Sequence, residues 1–324
     1  MEGEGSEPLS KRAAQVRFGV VTAWPEEDWH SRRLLQACAR RGLAATVDPA
    51  ALAAFVSDAA VEIRLGSRAA ASFDALLLAR GLGRAGDADV QFEIYRALEG
   101  TGALVVNRID ALLAAQDKLR TSWLLRRAGV PTPRAAVAQS PHEAASILAG
   151  LGEAVMKPIA GSLGDGLERV TPDRAGRRRV LERLEVDGAV YLQAWVPNAG
   201  RDARLFVVGH RVVGAMERIA PPGEWRTNVG RGARVRPLRA TESLALIAVE
   251  AARVLGLDWA GVDVVVGPEG PTVLEVNGNP SWLGILEATG DDMAEPIAEH
   301  VWARALRRLG RLEITQESAG AYHG

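Results

Sequence analysis

GVDVVVGPEGPTVLEVNGN, residues 261–279, is the stretch whose reading decides the fold. Two runs rich in β-branched residues, GVDVVV and TVLEVN, flank the turn-forming GPEGP, a pattern that predicts a β-hairpin. Carboxylates are poor strand residues and costly to bury unpaired, yet Asp263 and Glu275 lie inside these runs. With GPEGP (267–271) as the loop, an antiparallel register centred on Glu269 sets Asp263 opposite Glu275, and the period of two puts Asn277 on the same face. Like charges directly opposed destabilise a sheet, and a divalent cation between them reverses that sign. Oxygen-only ligands suit Mg2+, which takes one or two carboxylates and completes its shell with phosphate oxygens and water. The hairpin therefore reads as a Mg2+–nucleotide platform. It reads equally as a strand pair that turns its charges to solvent, and spacing alone leaves both open.

Around the hairpin the pattern is α+β with antiparallel strands. A helix, TESLALIAVEAARVLG (241–256), leads into it, after a strand–turn–strand at 204–219 and a strand AVYLQAWV at 189–196. Further upstream, EAVMKP and GLERV read as strands on either side of a glycine loop, with helices at EAASILAGLG and RRRVLERLE. AQDKLRTSWLLRRAG (115–129) reads as one helix closed by Gly129. The first third differs. Strands at 16–24, ATVDP, 73–80 and 103–107 alternate with helices at 31–42 and about 89–99, which points to a small parallel-sheet α/β domain. The expected division is a disordered 1–14, an α/β domain 15–112, a lid subdomain 113–196, a C-terminal subdomain 197–312 and a disordered 313–324.

The loop VMKPIAGSLGDGL (155–167) is no Walker A motif, since no Gly-Lys-Ser/Thr ends it and no helix follows. Glycines between strands can still lay backbone N–H groups over phosphates, and Lys157 just before the loop could reach them. A flexible turn beside a surface lysine gives the same letters. GLGRAG (81–86) matches a dinucleotide fingerprint but follows the third strand, with no acidic residue closing a strand about 20 residues on; it reads as a turn. Arg218, Arg226, Arg231, Arg234 and Arg236, with GRDAR at 200–204, form a cluster suited to phosphate or carboxylate, or to a solvated sheet edge.

Composition narrows the class. A net charge of −1 over 324 residues argues against a nucleic-acid binder. A single cysteine, Cys38, excludes an internal disulfide framework and fits a cytoplasmic location. No apolar run reaches the roughly 18 residues of a membrane span, and the polar start MEGEGSEPLS is no signal peptide. The five histidines show no metal-ligand spacing, and no G-x-S-x-G elbow nominates a nucleophilic serine.

Taken in order, DKL, VMKPIAGSLGDG, LQAWV, GRDAR, EWRTN, AGVDVVV and LEVNGNP resemble the RimK-like branch of the ATP-grasp superfamily, over about residues 16–310. The resemblance implies an ATP-grasp fold behind an N-terminal parallel-sheet domain. It implies ATP and Mg2+ as cofactors, two ions with Mn2+ as a substitute, and joining of a carboxylate to an amine. Lys118 and Lys157 match the phosphate-contacting lysines, and Gly161, Ser162, Gly164 and Gly166 the mobile loop over the triphosphate. Gln193, Ala194 and Trp195 match the hinge that meets adenine through its backbone. Asp202 matches a nucleotide-site residue, and Arg226, Thr227 and Asn228 an element near the phosphates. Asp263, Glu275 and Asn277 match the metal ligands, and Arg218, Arg226 or Arg231 would hold the acyl phosphate or the amino acid's carboxylate. NPSWLG stands where ribosomal-protein-modifying members carry SPGLEG, and its tryptophan resembles relatives acting on small molecules or carrier-linked amino acids. The expected partners are such a carboxylate and an amino acid such as glutamate, with no nucleic acid or membrane, in a possible homo-oligomer. Glutamylation of a protein C-terminus and a non-catalytic ATP-binding regulator are the alternatives.

Overall fold

A computed structural model of the chain describes residues 15–58, 61–84, 86–158 and 166–310. Two compact units emerge: Met1–Val106 with Ala294–Gly324, and Asn107–Met293. The expected tails at 1–14 and from 311 lie outside the described residues, as do Gly161, Ser162 and Gly164.

The first unit is built on a four-stranded parallel sheet of β1 (Val16–Thr22), β2 (Gly42–Val47), β6 (Ala75–Arg80) and β7 (Val105–Val106), in the order β2-β1-β6-β7. This is the parallel α/β arrangement the alternating pattern predicts. Helix α1 (Trp29–Ala39) starts where Asp28 accepts a hydrogen bond from the Ser31 amide, and α2 (Ala88–Gly100) starts in the same way at Asp87. Between β2 and β6 lies a second, antiparallel sheet that the sequence reading passes over: β3 (Leu52–Val56), β4 (Val61–Leu65) and β5 (Arg68–Ala69). The described part of GLGRAG, residues 81–84, turns after β6, with Gly81 and Gly83 at φ +70° and +81°.

Helix α9 (Ala294–Arg308) corrects the expected boundaries. Its buried stripe, Ala294, Ile297, Ala298, Val301 and Ala305, packs against α1, β1 and β6, and Glu295 pairs with Arg40 and Arg41. An apolar face at helical spacing shows that a helix is covered, not by which element, so sequence order misassigned α9 to the preceding subdomain.

The second unit opens with two helices where one was expected: α3 (Ile109–Gln116) and α4 (Lys118–Arg127). Asp117 is extended, at φ −83° and ψ 107°, and its side chain accepts from the Arg120 amide, capping α4. Lys118 is thereby the first residue of a helix. A four-stranded antiparallel sheet follows, ordered β10-β9-β11-β8: β8 (Ala135–Ala138), β9 (Ala154–Lys157), β10 (Glu168–Val170) and β11 (Val190–Ala194). Helices α5 (Pro141–Leu151) and α6 (Arg174–Asp187) cover it, burying Leu148, Met156, Val180, Leu184 and Leu192 in one core.

The last sheet holds the hairpin. Its order is β14-β13-β12-β15-β16, all antiparallel: β12 (Arg201–Val208), β13 (Arg211–Ile219), β14 (Arg234–Pro237), β15 (Trp259–Gly267) and β16 (Gly270–Asn277). Helices α7 (Glu242–Val254) and α8 (Leu283–Thr289) pack on it. Asp263 pairs with Glu275, and Gly261 with Asn277, in the predicted register. The route differs. The turn is tighter than GPEGP, with Gly267 opposite Gly270 and only Pro268 and Glu269 between them, and a bulge between Asp263 and Val264 restores the register.

Candidate active site

One cleft collects most of the candidate residues. Its walls include Lys157, Gln193, Ala194, Trp195, Asp202, Arg218, Arg226, Thr227, Asn228, Asp263 and Glu275. Asn277 stands beside Glu275 on the same face of β16, outside the lining. Lys118 is also outside the lining but close enough to Lys157 to act on its charge. Arg231, in a short turn of helix at Val229–Arg231, does not reach the walls, and Gly166 is represented there by its neighbour Leu167.

Asp263 is buried on a strand flanked by β12 and β16. Arg204, its cross-strand partner on β12, grips it through both Nε and Nη2, the latter at 2.8 Å. Nη2 of Arg218 adds a third contact at 3.0 Å from Oδ1. Burial pushes the Asp263 carboxyl up, but the two guanidinium groups outweigh it and hold the group below its ordinary value. Arg218 is displaced the other way: burial lowers it, and Asp263 with Asp202 more than reverses that. The offset that a buried strand carboxylate demands is therefore supplied by arginines. Gly261 makes room for one of them, since a Cβ there would lie 2.9 Å from Nη1 of Arg204 and 2.8 Å from Cβ of Pro280.

The arginine contacts bear on whether a cation fits. An ionised carboxylate offers about four lone-pair directions, of which Arg204 and Arg218 use three, two of them on Oδ1. One direction on Oδ2 is left, and Glu275 and Asn277 lie on the same face of the hairpin as Asp263. This all-oxygen set fits a hard cation. Among the described residues no group of three His, Cys, Asp or Glu side chains converges as a metal site; the candidate set is two acids and an amide.

Lys157 ends β9 and is buried. Burial pushes its ammonium down, Glu275 and Asp263 pull it up, and Lys118 pushes it down again. Gln193, on β11, donates to the carbonyl of Leu274 at 3.5 Å, tying the first sheet of this unit to the residue before Glu275. The amides of Ala194 and Trp195 donate to Arg134 and Glu153 carbonyls at 2.8 and 2.9 Å. Those two donors are spent, so a base in this segment would be met through carbonyls or the following amide.

Two features escaped the sequence reading. Glu224 accepts the amides of Trp225 and Arg226 and, through both oxygens, the Arg226 guanidinium at 3.0 and 2.7 Å. The Arg226 side chain and these amides pull the Glu224 carboxyl down to about 2. Arg226 also donates to the Leu167 carbonyl at 3.3 Å, at the exit of the glycine loop. Trp195 and Trp225 meet edge to face at 5.2 Å, with Arg169 over Trp195 at 4.5 Å. The acidic residue two before Arg226 was the available signal for the first. The second joins residues 30 apart in sequence and had none. Trp282 is 2% exposed, edge to face with Phe206 at 6.1 Å, its Nε1 donating to Asp292 at 3.0 Å. It packs in the core.

Residues 115–301 match the family model described as the RimK-like ATP-grasp domain. The chain belongs to the RimK-like ATP-grasp family. It is 32% identical over 319 residues to the tetrahydromethanopterin:alpha-L-glutamate ligase of Methanosarcina acetivorans, covering 88% of this chain and 98% of that one. A probable alpha-L-glutamate ligase of Azotobacter vinelandii is 33% identical over 291 residues, covering 87% of this chain and 94% of the relative. Among solved structures, the ATP-grasp ligase PsnB complexed with a minimal precursor superposes with a TM-score of 0.70 at 20% identity, over 89% of this chain and 99% of that one. A RimK domain ATP-grasp protein from Sphaerobacter thermophilus superposes with a TM-score of 0.66 at 25% identity, over 88% and 99%. The RimK-like chain is a ligase that forms carbon–nitrogen bonds. Among the described residues no helix is long and apolar enough to cross a membrane.

Proposed function

We propose that the chain is an ATP- and Mg2+-dependent carboxylate–amine ligase that adds glutamate or a similar amino acid to a small molecule, cofactor or carrier. The supporting observation is that Asp263 and Glu275 face each other across β15 and β16 in the same cleft as Lys157, Asp202 and Arg226. The small-molecule acceptor draws support from the relative named for tetrahydromethanopterin.

The reaction runs in two steps. A substrate carboxylate attacks the γ-phosphate, giving ADP and an acyl phosphate; the amine then displaces phosphate through a tetrahedral intermediate. Such transfer needs positioning and charge neutralisation above all. Asp263, Glu275 and Asn277 would hold Mg2+, which when bound neutralises phosphate charge and serves as a Lewis acid. Lys157, buried at the end of a strand, offers a fixed cation to the phosphates, and Lys118 a second from the helix start. Arg218 has Nε and Nη2 committed to carboxylates, so it acts inside the wall and not as a free fork for the acyl phosphate. Arg226 remains the arginine able to turn toward an anion, by giving up Glu224.

The test is an amino-acid screen for stimulated ADP release, followed by the mass of the product. ATP with Mg2+ should raise the melting temperature, and NAD should not. No ADP release with any acceptor would favour a nucleotide-binding regulator, and stabilisation by NAD alone would overturn the reading.

A further inference from the structure

The two lysines expected at the phosphates stand on different elements: Lys157 ends β9, and Lys118 opens α4. A pair of buried hydroxyls joins those elements. Tyr191 opposes Lys157 across β11 and β9, and opposed residues share a face of the sheet. That face is turned away from α5 and α6, whose core takes Met156 and Leu192 instead. Ser122 follows Lys118 by one helical turn, on the same side of α4. The Tyr191 and Ser122 hydroxyl oxygens are 2.8 Å apart, on residues 2% and 5% exposed. Neither residue lines the cleft. Burial pushes the Tyr191 phenol up to about 12 against the Ser122 bond, and Glu275 and Asp117 push it the same way as burial. Tyr191 is therefore a neutral hydroxyl at ordinary pH. Thr121, next to Ser122, donates to the Ala114 carbonyl at 2.8 Å, so one hydroxyl holds α4 to α3 and the next ties it to β11.

We infer that Ser122 and Tyr191 are positioning residues that set where Lys118 stands relative to Lys157, and so how the two ammonium groups together meet the phosphates. Cross-strand neighbours lie about 5 Å apart at Cβ, so the Tyr191 ring stands beside the Lys157 stem. Its hydroxyl then fixes the second lysine through the helix that carries it. Two cations on separately held elements grip a phosphate chain only when their spacing is set in advance, because aligning them at the moment of binding costs affinity. This inference rests on the ligase reading above.

Three variants are compared: Tyr191→Phe, Ser122→Ala and the double substitution. Affinities for ADP and for adenosine are measured by titration calorimetry, with the melting temperature of each unliganded variant. ADP affinity should fall about five- to tenfold in all three, with adenosine affinity within about twofold of the parent. Stability should follow a different order. Ser122→Ala leaves the phenol buried without a partner and lowers the melting temperature; the double variant removes both hydroxyls and recovers most of it. A purely structural bond would make ADP affinity recover with stability in the double variant, and that result would overturn the inference. Equal losses for ADP and adenosine, or no loss for ADP, would overturn it too. Tyr191→Phe, which keeps the ring and leaves only a serine hydroxyl behind, carries the affinity test if Ser122→Ala does not fold. If the unsubstituted protein binds ADP no more tightly than adenosine, the ligase reading itself fails, before any variant is made.

Discussion

Asn107 decides whether the end of the hairpin holds its shape. It is fully buried in front of α3. Its Oδ1 accepts the amides of Asp258 at 2.6 Å and Trp259 at 3.1 Å, and its Nδ2 donates to the carbonyls of Trp259 at 2.9 Å and Gly278 at 2.8 Å. One side chain thus joins the start of β15 to the residue following Asn277. Asn107→Ala leaves those groups without this partner. Each buried orphan costs about 1–3 kcal/mol. Water entering the small polar cavity returns part of that, so the lower end applies, about 4 kcal/mol for four bonds. With a urea m value of about 3 kcal/mol per molar, the midpoint should fall by about 1.3 M. Asn107→Asp is the sharper variant. It keeps the shape and both acceptor contacts but sets an oxygen against two carbonyl oxygens, and buries a charge. Its loss should equal or exceed that of the alanine variant. Urea unfolding of both, followed by far-UV circular dichroism, makes the comparison. A loss below about 1 kcal/mol in both would refute the reasoning, because the four groups would then be finding other partners.

Three further outcomes are expected. Glu275→Ala should abolish amino-acid-stimulated ADP release while circular dichroism and the melting temperature show the fold intact; undiminished turnover would remove the hairpin from the metal site. Glu224 titrates at about 2 against an ordinary 4.5, so its pairing with Arg226 contributes fully above about pH 4.5 and is lost as pH falls toward 2. The stability difference between the parent and Glu224→Gln should accordingly be flat above pH 5 and shrink below pH 4.5; a flat difference down to pH 3 would mean that the pair does not form in solution. Gly261→Ala should push Arg204 away from Asp263, lowering stability by about 1–3 kcal/mol, measured by urea unfolding; a neutral substitution would show that Arg204 has another place to lie.

The sequence carried the local periods well and the neighbours poorly. A register centred on Glu269 placed Asp263 opposite Glu275, although the chain reaches that pairing through a tighter turn and a bulge, and strands alternating with helices were enough to find the parallel sheet. The sheet of β3, β4 and β5 was missed because LAAF and its surroundings are rich in alanine, which carries little strand preference. The break at Asp117 was missed because an aspartate within a helical period looks like a polar surface position, while its side chain competes for the backbone and starts a new helix. Arg204 and Arg218 were visible as members of an arginine cluster. What they touch depends on which strands become neighbours, and β12 meets β15 across some 60 residues of chain.

The arginines also change what the opposed acids mean. A metal was inferred because two carboxylates face each other at close quarters with no visible compensation. The compensation is present in the chain, so proximity alone no longer requires a cation. What still favours one is the asymmetry of the contacts. Had the arginines existed only to neutralise Asp263, nothing would prevent them from closing both of its oxygens. Instead Oδ1 receives two donors and Oδ2 one, and Asp263 shares its face of the hairpin with Glu275 and Asn277. Glu275 is the partner of Asp263 in the ladder, yet neither guanidinium that grips Asp263 is paired with it. A buried carboxylate held ionised, with one direction open and facing a second acid, is poorly explained as a structural ion pair, and well explained as a ligand kept charged until the cation and its phosphates arrive.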